Sequence, residues 1–298
     1  MRILISGGTG FLGRELSRSL LRDGHRVYVL VRGKPALVDA ETLLWDGKKL
    51  DGWEYVLEEV DAVIHLAGRT LASWPWTTSV RNSFYESRVR SGSALVDAIR
   101  RASKKPGVFI QQSGINYYGL SGDVADEWSP PAEDFLAHLA VKWEEATTSV
   151  EDLGVRRIVL RTSVVLANGG GLLPLMALPI RFFLGGRLGG GQQAMPWIHI
   201  RDWIGAVRHL IAAENTEGAY NLIAPALTSS DEFMKNLAEV LRRPYWFPAP
   251  SFLLRGLLGD MNVLILEGRF ARPRRLIESG YQFRFPLLHE ALIDLYGN

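Results

Sequence analysis

The chain contains no cysteine. That excludes a disulfide framework, a cysteine nucleophile and thiolate metal sites together, and it fits a reducing cytoplasm. An excess of charge of one sign is also missing. Lys and Arg total 34 against 32 for Asp and Glu, a formal net charge of +2. The basic residues are spread along the chain, so a nucleic-acid partner gets no electrostatic support. No hydrophobic run is long. The longest, 172–184, is broken by Pro174, Pro179 and Arg181, well short of the roughly 20 residues a bilayer requires. A second, 252–266, is cut by Arg255, Gly259, Asp260 and Asn262. Both are read as buried or substrate-facing helices, with a membrane-surface role for the second as the lesser alternative. No membrane partner is expected. The opening MRILISGG runs into glycine too soon for a signal peptide. The histidines, at 25, 65, 138, 199, 209 and 289, show no HExxH or similar spacing, and no metal site is expected.

What is present is an ordinary globular balance, 47% apolar and 22% charged over 298 residues. It suits one large domain or one domain with a smaller module. Short apolar runs predict strands at 2–6, 26–31, 62–66, 108–112 and 157–160. Helical periodicity predicts helices at 11–23, 83–102 and 135–150. In the first helix Leu12, Leu16, Leu20 and Leu21 share one face, and Gly24 follows as a terminator. Strands alternating with helices predict a parallel sheet with right-handed crossovers. The texture changes after Val165. Residues 168–193 are rich in glycine, leucine and proline and read as excursions in which a substrate cleft forms. A strand at 220–224 returns to the sheet, a helix follows at 230–241, and further helices make a smaller module.

The strongest chemical signal is Gly7-Gly8-Thr9-Gly10-Phe11-Leu12-Gly13. It follows a strand directly and opens a helix. A tight turn needs glycine, a pyrophosphate needs bare backbone to approach, and a helix N-terminus offers unpaired N–H groups to an anion. The end of the second strand indicates which dinucleotide. An NAD site has Asp or Glu there for the ribose 2′-hydroxyl. Here Arg32 stands at that place, followed by Gly33 and Lys34, with no acid before Asp39. A guanidinium suits a 2′-phosphate, which favours NADP.

These residues resemble a known family. The GGTGFLG start, the VIHLAG run at 63–68, Ser87-Arg88, SGINYYG at 113–119 and Lys142-Trp143-Glu144 carry the likeness. So do RTSVVLANGGG at 161–171, PWIHIRD at 196–202 and RPRRLIESGYQFRFP at 272–286. The chain is similar to the extended short-chain dehydrogenase/reductases of the NAD-dependent epimerase/dehydratase superfamily. More narrowly, it resembles the atypical branch labelled "epimerase family protein", whose C-terminal module the last of these motifs resembles. The resemblance implies an α/β Rossmann fold, a doubly wound parallel sheet with a smaller C-terminal α/β substrate module. The NADP-binding part would span 1–167, with the later strand returning to it, and the substrate-binding part 168–298. Gly7, Gly10, Phe11, Leu12 and Gly13 would face the pyrophosphate. Val31 and Arg32 would hold the 2′-phosphate end, and Leu66, Ala67 and Gly68 the adenosine ribose and diphosphate. Arg88 and Val165 would approach the cofactor too. A small-molecule substrate is implied, and the long 83–102 helix is where related folds pair into homodimers.

The catalytic positions depart from that superfamily. Its active members use Tyr-x-x-x-Lys with a Ser or Thr, the Lys holding the nicotinamide ribose and tuning the phenol. Here the spacing is kept as His138-x-x-x-Lys142. His138 is either a proton exchanger near neutral pH or an exposed helix residue. Lys142 is expected at the ribose. Ser113 is the one hydroxyl at its strand end, and Tyr117 or Tyr118 offers a phenol. His199 and Asp202 read as a structural pair, and Asp126-Glu127 as a solvated loop. The expectation is an NADP-dependent oxidoreductase or an epimerase- or dehydratase-like enzyme. The alternative is an NADP-binding sensor or interaction protein without turnover.

Overall fold

The first strand, β1 (Arg2–Ser6), is apolar and buried at Ile3, Leu4 and Ile5 and lies in the interior of a sheet in the computed structural model. The structure describes residues 1–33 and 40–297. Lys34 and Asp39 fall outside it. From β1 the chain enters α1 (Phe11–Arg22), then β2 (Arg26–Val31) and the edge strand β3 (Glu41–Leu44). It then crosses to the other side of β1 through β4 (Ala62–His65), α2 (Thr78–Arg101), β5 (Val108–Gly114), α3 (Phe135–Glu145) and β6 (Arg156–Thr162). With β9 (Gly218–Leu222) the order is β3-β2-β1-β4-β5-β6-β9, all parallel. This is the expected doubly wound Rossmann sheet. The direction of winding reverses between β1 and β4, and such a reversal opens a crevice at the carboxyl ends of the strands.

One face of the sheet packs α1 and α5 (Ile200–Ala212) into a core with Ile3, Ile5, Ile64 and Trp203. The other packs α2 and the short turn at 53–58 around Leu4, Phe109, Leu95 and Trp53. Helix α2 starts five residues earlier than the periodicity predicts, because the Thr77 hydroxyl accepts the Val80 amide and caps it. Helix α3 stops at Glu145, short of the expected 150, and the chain tightens into a 3₁₀ turn at 148–153. Strand β3 was not anticipated. Glu41 and Leu44 are exposed and Thr42 and Leu43 only half-buried, so it lacks the apolar run that marks its neighbours.

The excursion after β6 is bracketed by a small parallel pair, β7 (Val164–Leu166) and β8 (Trp197–His199), with α4 (Leu173–Arg181) between them. Both α5 and β9 belong to the main sheet layer, so more of the chain beyond 167 returns to the Rossmann unit than the single strand expected. The remainder is α6 (Ser230–Val240), α7 (Ser251–Leu258), α8 (Val263–Leu266), α9 (Arg274–Glu278) and α10 (Leu288–Tyr296). Helices α6 and α10 pack with α4 around Trp197 and Phe233.

His199 and Asp202 are structural but not a pair. His199 is buried and caps α5, its Nδ1 accepting the Arg201 amide. Its Nε2 lies 3.3 Å from the Asp294 carboxylate, off the line of a hydrogen bond. Asp202 accepts the Tyr281 hydroxyl at 3.0 Å and the Arg284 and Phe285 amides at 2.7 and 2.8 Å. It therefore fastens the C-terminal segment to the sheet layer. Asp202→Ala should lower the unfolding free energy by about 2–4 kcal/mol, since the Arg284 and Phe285 amides lose their acceptor while the Tyr281 hydroxyl keeps only the Asp202 carbonyl. Asp202→Asn, which keeps one acceptor oxygen, should lose less. Urea unfolding midpoints would check both.

Candidate active site

The crevice predicted by the winding reversal is a cleft of about 650 Å³, with Phe11, Leu12, Gln112 and Val165 in its wall. A second hollow of about 570 Å³, lined by Met1, Asp61, Lys104 and Glu214 among others, lies at the opposite ends of the strands, away from the glycine loop.

The glycine loop is shaped by contacts no side chain would survive. Gly7 has φ +76°, and a Cβ there would sit 2.7 Å from the Ala67 amide nitrogen. A Cβ on Gly13 would sit 2.3 Å from the Gly7 carbonyl oxygen. The loop therefore packs backbone against backbone, on α1 in one direction and on the Leu66–Gly68 turn in the other. Gly10 caps α1 without any side-chain hydrogen bond, and no acid stands in the first turn. The N–H groups of that turn are left for an anion. Val31 ends β2 buried beside β1, and Arg32 follows it exposed.

Behind Gly68 lies Arg88, from α2. Its guanidinium carbon would meet a Cβ on Gly68 at 3.3 Å. The residue is only 6% exposed. Nη1 donates to the Phe84 carbonyl at 3.2 Å, the guanidinium sits 4.5 Å from the Trp143 ring centroid, and Nε has no partner. Burial pulls its pKa down to about 10, and no carboxylate counters that among the described residues. Next to it, His65 is wholly buried between Ser6 and Ser91. The Ser6 hydroxyl lies 2.6 Å from Nδ1, and the Ser91 hydroxyl 3.3 Å from Nε2. Because Ser91 donates to the Ser87 carbonyl, Nε2–H donates to Ser91 and Nδ1 accepts from Ser6. Burial lowers the His65 pKa to about 4, so the ring is neutral.

The expected catalytic residues are not gathered at the cleft. Helix α3 buries Leu136, Leu139, Ala140 and Trp143. His138 and Lys142, four residues apart, both fall on its other face. His138 lies 3.1 Å from Glu133, and Lys142 donates to Glu145 at 2.8 Å, both half-exposed. Helix amphipathicity puts both on the exposed side of α3, and neither belongs to the cleft wall. Ser113 is buried and donates to the Glu144 carboxylate at 2.7 Å. Arg161 grips the same carboxylate with two donors, at 3.0 and 2.9 Å. The Arg161 guanidinium lies 3.4 Å from the Tyr117 ring centroid and donates to the Tyr118 hydroxyl, which in turn donates to Asn221. Burial pushes the Tyr118 pKa up to about 12. Ser113 and Tyr117 are thus held in a polar network that ties together β5, β6, β9 and α3.

Sequence reasoning missed the polar groups that do line the cleft. They include Gln112, Asn116, Glu267 and Arg269. The Gln112 side-chain carbonyl is buried without a partner. Arg269 is fixed by the Asp123 and Tyr118 carbonyls at 2.7 and 2.8 Å. Glu127, expected in a solvated loop, is instead buried and accepts the Asn221 and Arg275 amides. Burial raises its pKa. The alternation along β5 was the one available signal for Gln112, since its neighbours Gln111 and Ser113 point the other way.

Two family profiles match the chain: "NAD dependent epimerase/dehydratase family" over residues 3–222, and "Domain of unknown function (DUF1731)" over residues 249–295. The chain is 34% identical over 302 residues to epimerase family protein YfhF of Bacillus subtilis, covering 100% of this chain and 99% of that protein. It is 36% identical over 302 residues to epimerase family protein SDR39U1 of Bos taurus, covering 99% of each. The crystal structure of human epimerase family protein SDR39U1 (isoform 2) with NADPH matches over the whole of both chains, with a TM-score of 0.89 at 32% identity.

The buried histidines set a pH limit. Above about pH 6.5, His65 is neutral folded and unfolded alike. Below it the unfolded chain takes up a proton that the folded one refuses until about pH 4. Stability should therefore be full above pH 6.5 and fall as pH drops toward 4, by about 3 kcal/mol for this residue. His199, also lowered to about 4 by burial, adds to the fall. Unfolding midpoints across this range should flatten in His65→Asn relative to the parent.

Proposed function

The chain belongs to the NAD dependent epimerase/dehydratase family, and on that premise we propose that it is an NADP(H)-dependent enzyme. It would act on a small molecule as an oxidoreductase or as an epimerase or dehydratase. The observation that carries this is the buried, carboxylate-free Arg88 lodged behind the Gly7–Gly13 loop and the Leu66–Gly68 turn. An uncompensated buried cation is costly unless an anion completes it. A dinucleotide phosphate fits that need, and the human relative's structure with NADPH supports it.

Each part of the cleft has a task in this reading. The first-turn amides of α1 bind the pyrophosphate across a backbone with no side chain in the way. Arg32, just past β2, meets the 2′-phosphate with forked donors. Phe11, Leu12 and Val165 keep water from the bound nucleotide. The unpartnered Gln112 carbonyl offers a buried acceptor. When bound, the nicotinamide supplies hydride exchange, which is the cofactor's own chemistry. Positioning of the substrate falls to the groups in the cleft wall, Asn116, Glu267 and Arg269, with Glu267 the carboxylate available to move a proton. Ser113 and Tyr117 act as positioning residues through the Arg161–Glu144 pair. A cytoplasmic setting agrees with the cysteine-free composition.

Paired titrations of NADPH and NADH, read by quenching of tryptophan emission, would test the reading. NADPH should bind at least about tenfold tighter, a difference of ~1.4 kcal/mol, and Arg32→Ala should remove that preference. Arg88→Met should weaken both nucleotides at least about tenfold while leaving the unfolding free energy of the free protein within about 1 kcal/mol. If neither nucleotide binds, the reading fails.

A further inference from the structure

Two stretches far apart in sequence, 168–193 and 241–259, contain no Asp or Glu, yet carry Arg181, Arg187, Arg242, Arg243 and Arg255. All five arginines are exposed. The fold brings the stretches together. The Trp246 and Phe247 amides both donate to the Gly185 carbonyl at 2.9 Å, and the Ala249 amide donates to the Arg187 carbonyl at 2.8 Å. The Trp246 indole donates to the Phe183 carbonyl at 3.1 Å, and Arg243 lies 4.8 Å from the Phe183 ring centroid. Helix α7 follows directly at Ser251.

The joined surface is strongly apolar. Helix α4 turns Leu173, Ala177 and Ile180 inward. Its opposite side presents Leu175 and Leu178, and the chain runs on into exposed Phe182, Phe183 and Leu184. Trp246 is 64% exposed, Phe252 78% and Leu257 64%, and α7 has no buried residue. Exposed apolar residues at 182–184 joined to Trp246 and Phe247, with α7 following directly, mark a binding face.

We propose that this face docks on the surface of an anionic lipid bilayer. Charge decides the occupant. A second copy, paired face to face, would set arginines against arginines, since Asp231 beside Arg187 is already engaged by Lys235 and Tyr245 and Asp260 by Arg81. A small soluble anion would leave the aromatic and leucine side chains without a role. An anionic bilayer takes both: Phe, Trp and Leu enter the boundary between headgroups and acyl chains, and the arginines reach the lipid phosphates. Among the described residues no helix is long and apolar enough to cross a membrane, so attachment is to the surface. Leu175 also lines the cleft, so docking turns the cleft mouth toward the lipid. The inference does not rest on nucleotide binding, because none of these arginines lies in the glycine-loop cradle.

Sedimentation of the full chain with phosphatidylcholine vesicles containing about one-third phosphatidylglycerol, against vesicles of phosphatidylcholine alone, tests it. Binding to the anionic vesicles should be at least about tenfold stronger and should weaken as salt rises. Arg242→Glu with Arg243→Glu should abolish it. So should Phe252→Ser with Leu257→Ser, a pair placed on exposed side chains so that unfolding midpoints stay at the parental value. No sedimentation with anionic vesicles, equal binding to both compositions, or undiminished binding by either variant overturns the proposal. So does a concentration-dependent dimer that the Phe252→Ser, Leu257→Ser variant dissolves, which would make a second copy the occupant.

Discussion

The candidate site depends on one steric constraint: nothing larger than hydrogen fits between the end of β1, the start of α1 and the turn after β4. Gly7 and Gly13 meet backbone atoms at distances a Cβ could not tolerate. That contact holds the first turn of α1 against the crevice at the winding reversal, so its free N–H groups open into the cleft rather than into a neighbouring side chain. It also presses the Leu66–Gly68 turn onto Arg88. The anion-seeking backbone and the buried guanidinium are thus brought to one place by the same close packing.

Two buried arginines near the cleft show how differently the fold treats charge. Arg161 is matched by Glu144 with two hydrogen bonds, and Ser113 and Tyr118 complete the set. Such a pair is self-sufficient and asks nothing of a ligand, and its work is to fix β5, β6 and α3 relative to one another. Arg88 has a carbonyl, a ring face and an orphaned Nε. The neutral His65 beside it adds no competing negative charge. Similar burial with opposite compensation separates the structural arginine from the one poised for a ligand.

The sheet and the glycine loop were legible in the sequence because both are local. An apolar run announces a doubly covered strand, and the order glycine loop then helix announces its own turn. What failed was the facing of side chains. The His138-x-x-x-Lys142 spacing is visible in one dimension, but which side of α3 is buried depends on α2 and β5. Ser113 was visible as a hydroxyl at a strand end, but not that Glu144, from the following helix, would take it. Gln112, one residue away, was passed over because an amide inside a predicted strand has no motif. Strand β3 lacked the apolar signal because it lies at the sheet edge. Of the apolar face beside the cleft the sequence shows only two separate runs, which read as buried or substrate-facing helices, with a membrane-surface role for 252–266 as the lesser alternative. Their mutual contact, the outward side of α4 and the lack of any buried residue in α7 are visible only in the fold.

That contact bears on how the C-terminal module works. Two buried carboxylates reach from the Rossmann layer and its loops to take backbone amides of the last segment: Asp202 those of Arg284 and Phe285, Glu127 that of Arg275. Carboxylates that accept from backbone N–H groups fix position more tightly than contacts between side chains, because the chain itself is held. Between β9 and these anchors, α7 exposes its residues while α8 seats Val263 and Leu264 in the cleft wall. A segment fixed after α8 and joined to the 182–187 stretch before it cannot turn its aromatic side chains inward without breaking the amide contacts to Gly185 and Arg187. Phe252 and Leu257 lie just beyond those contacts, exposed on α7, and the same strap that walls the cleft carries the exposed face beside it.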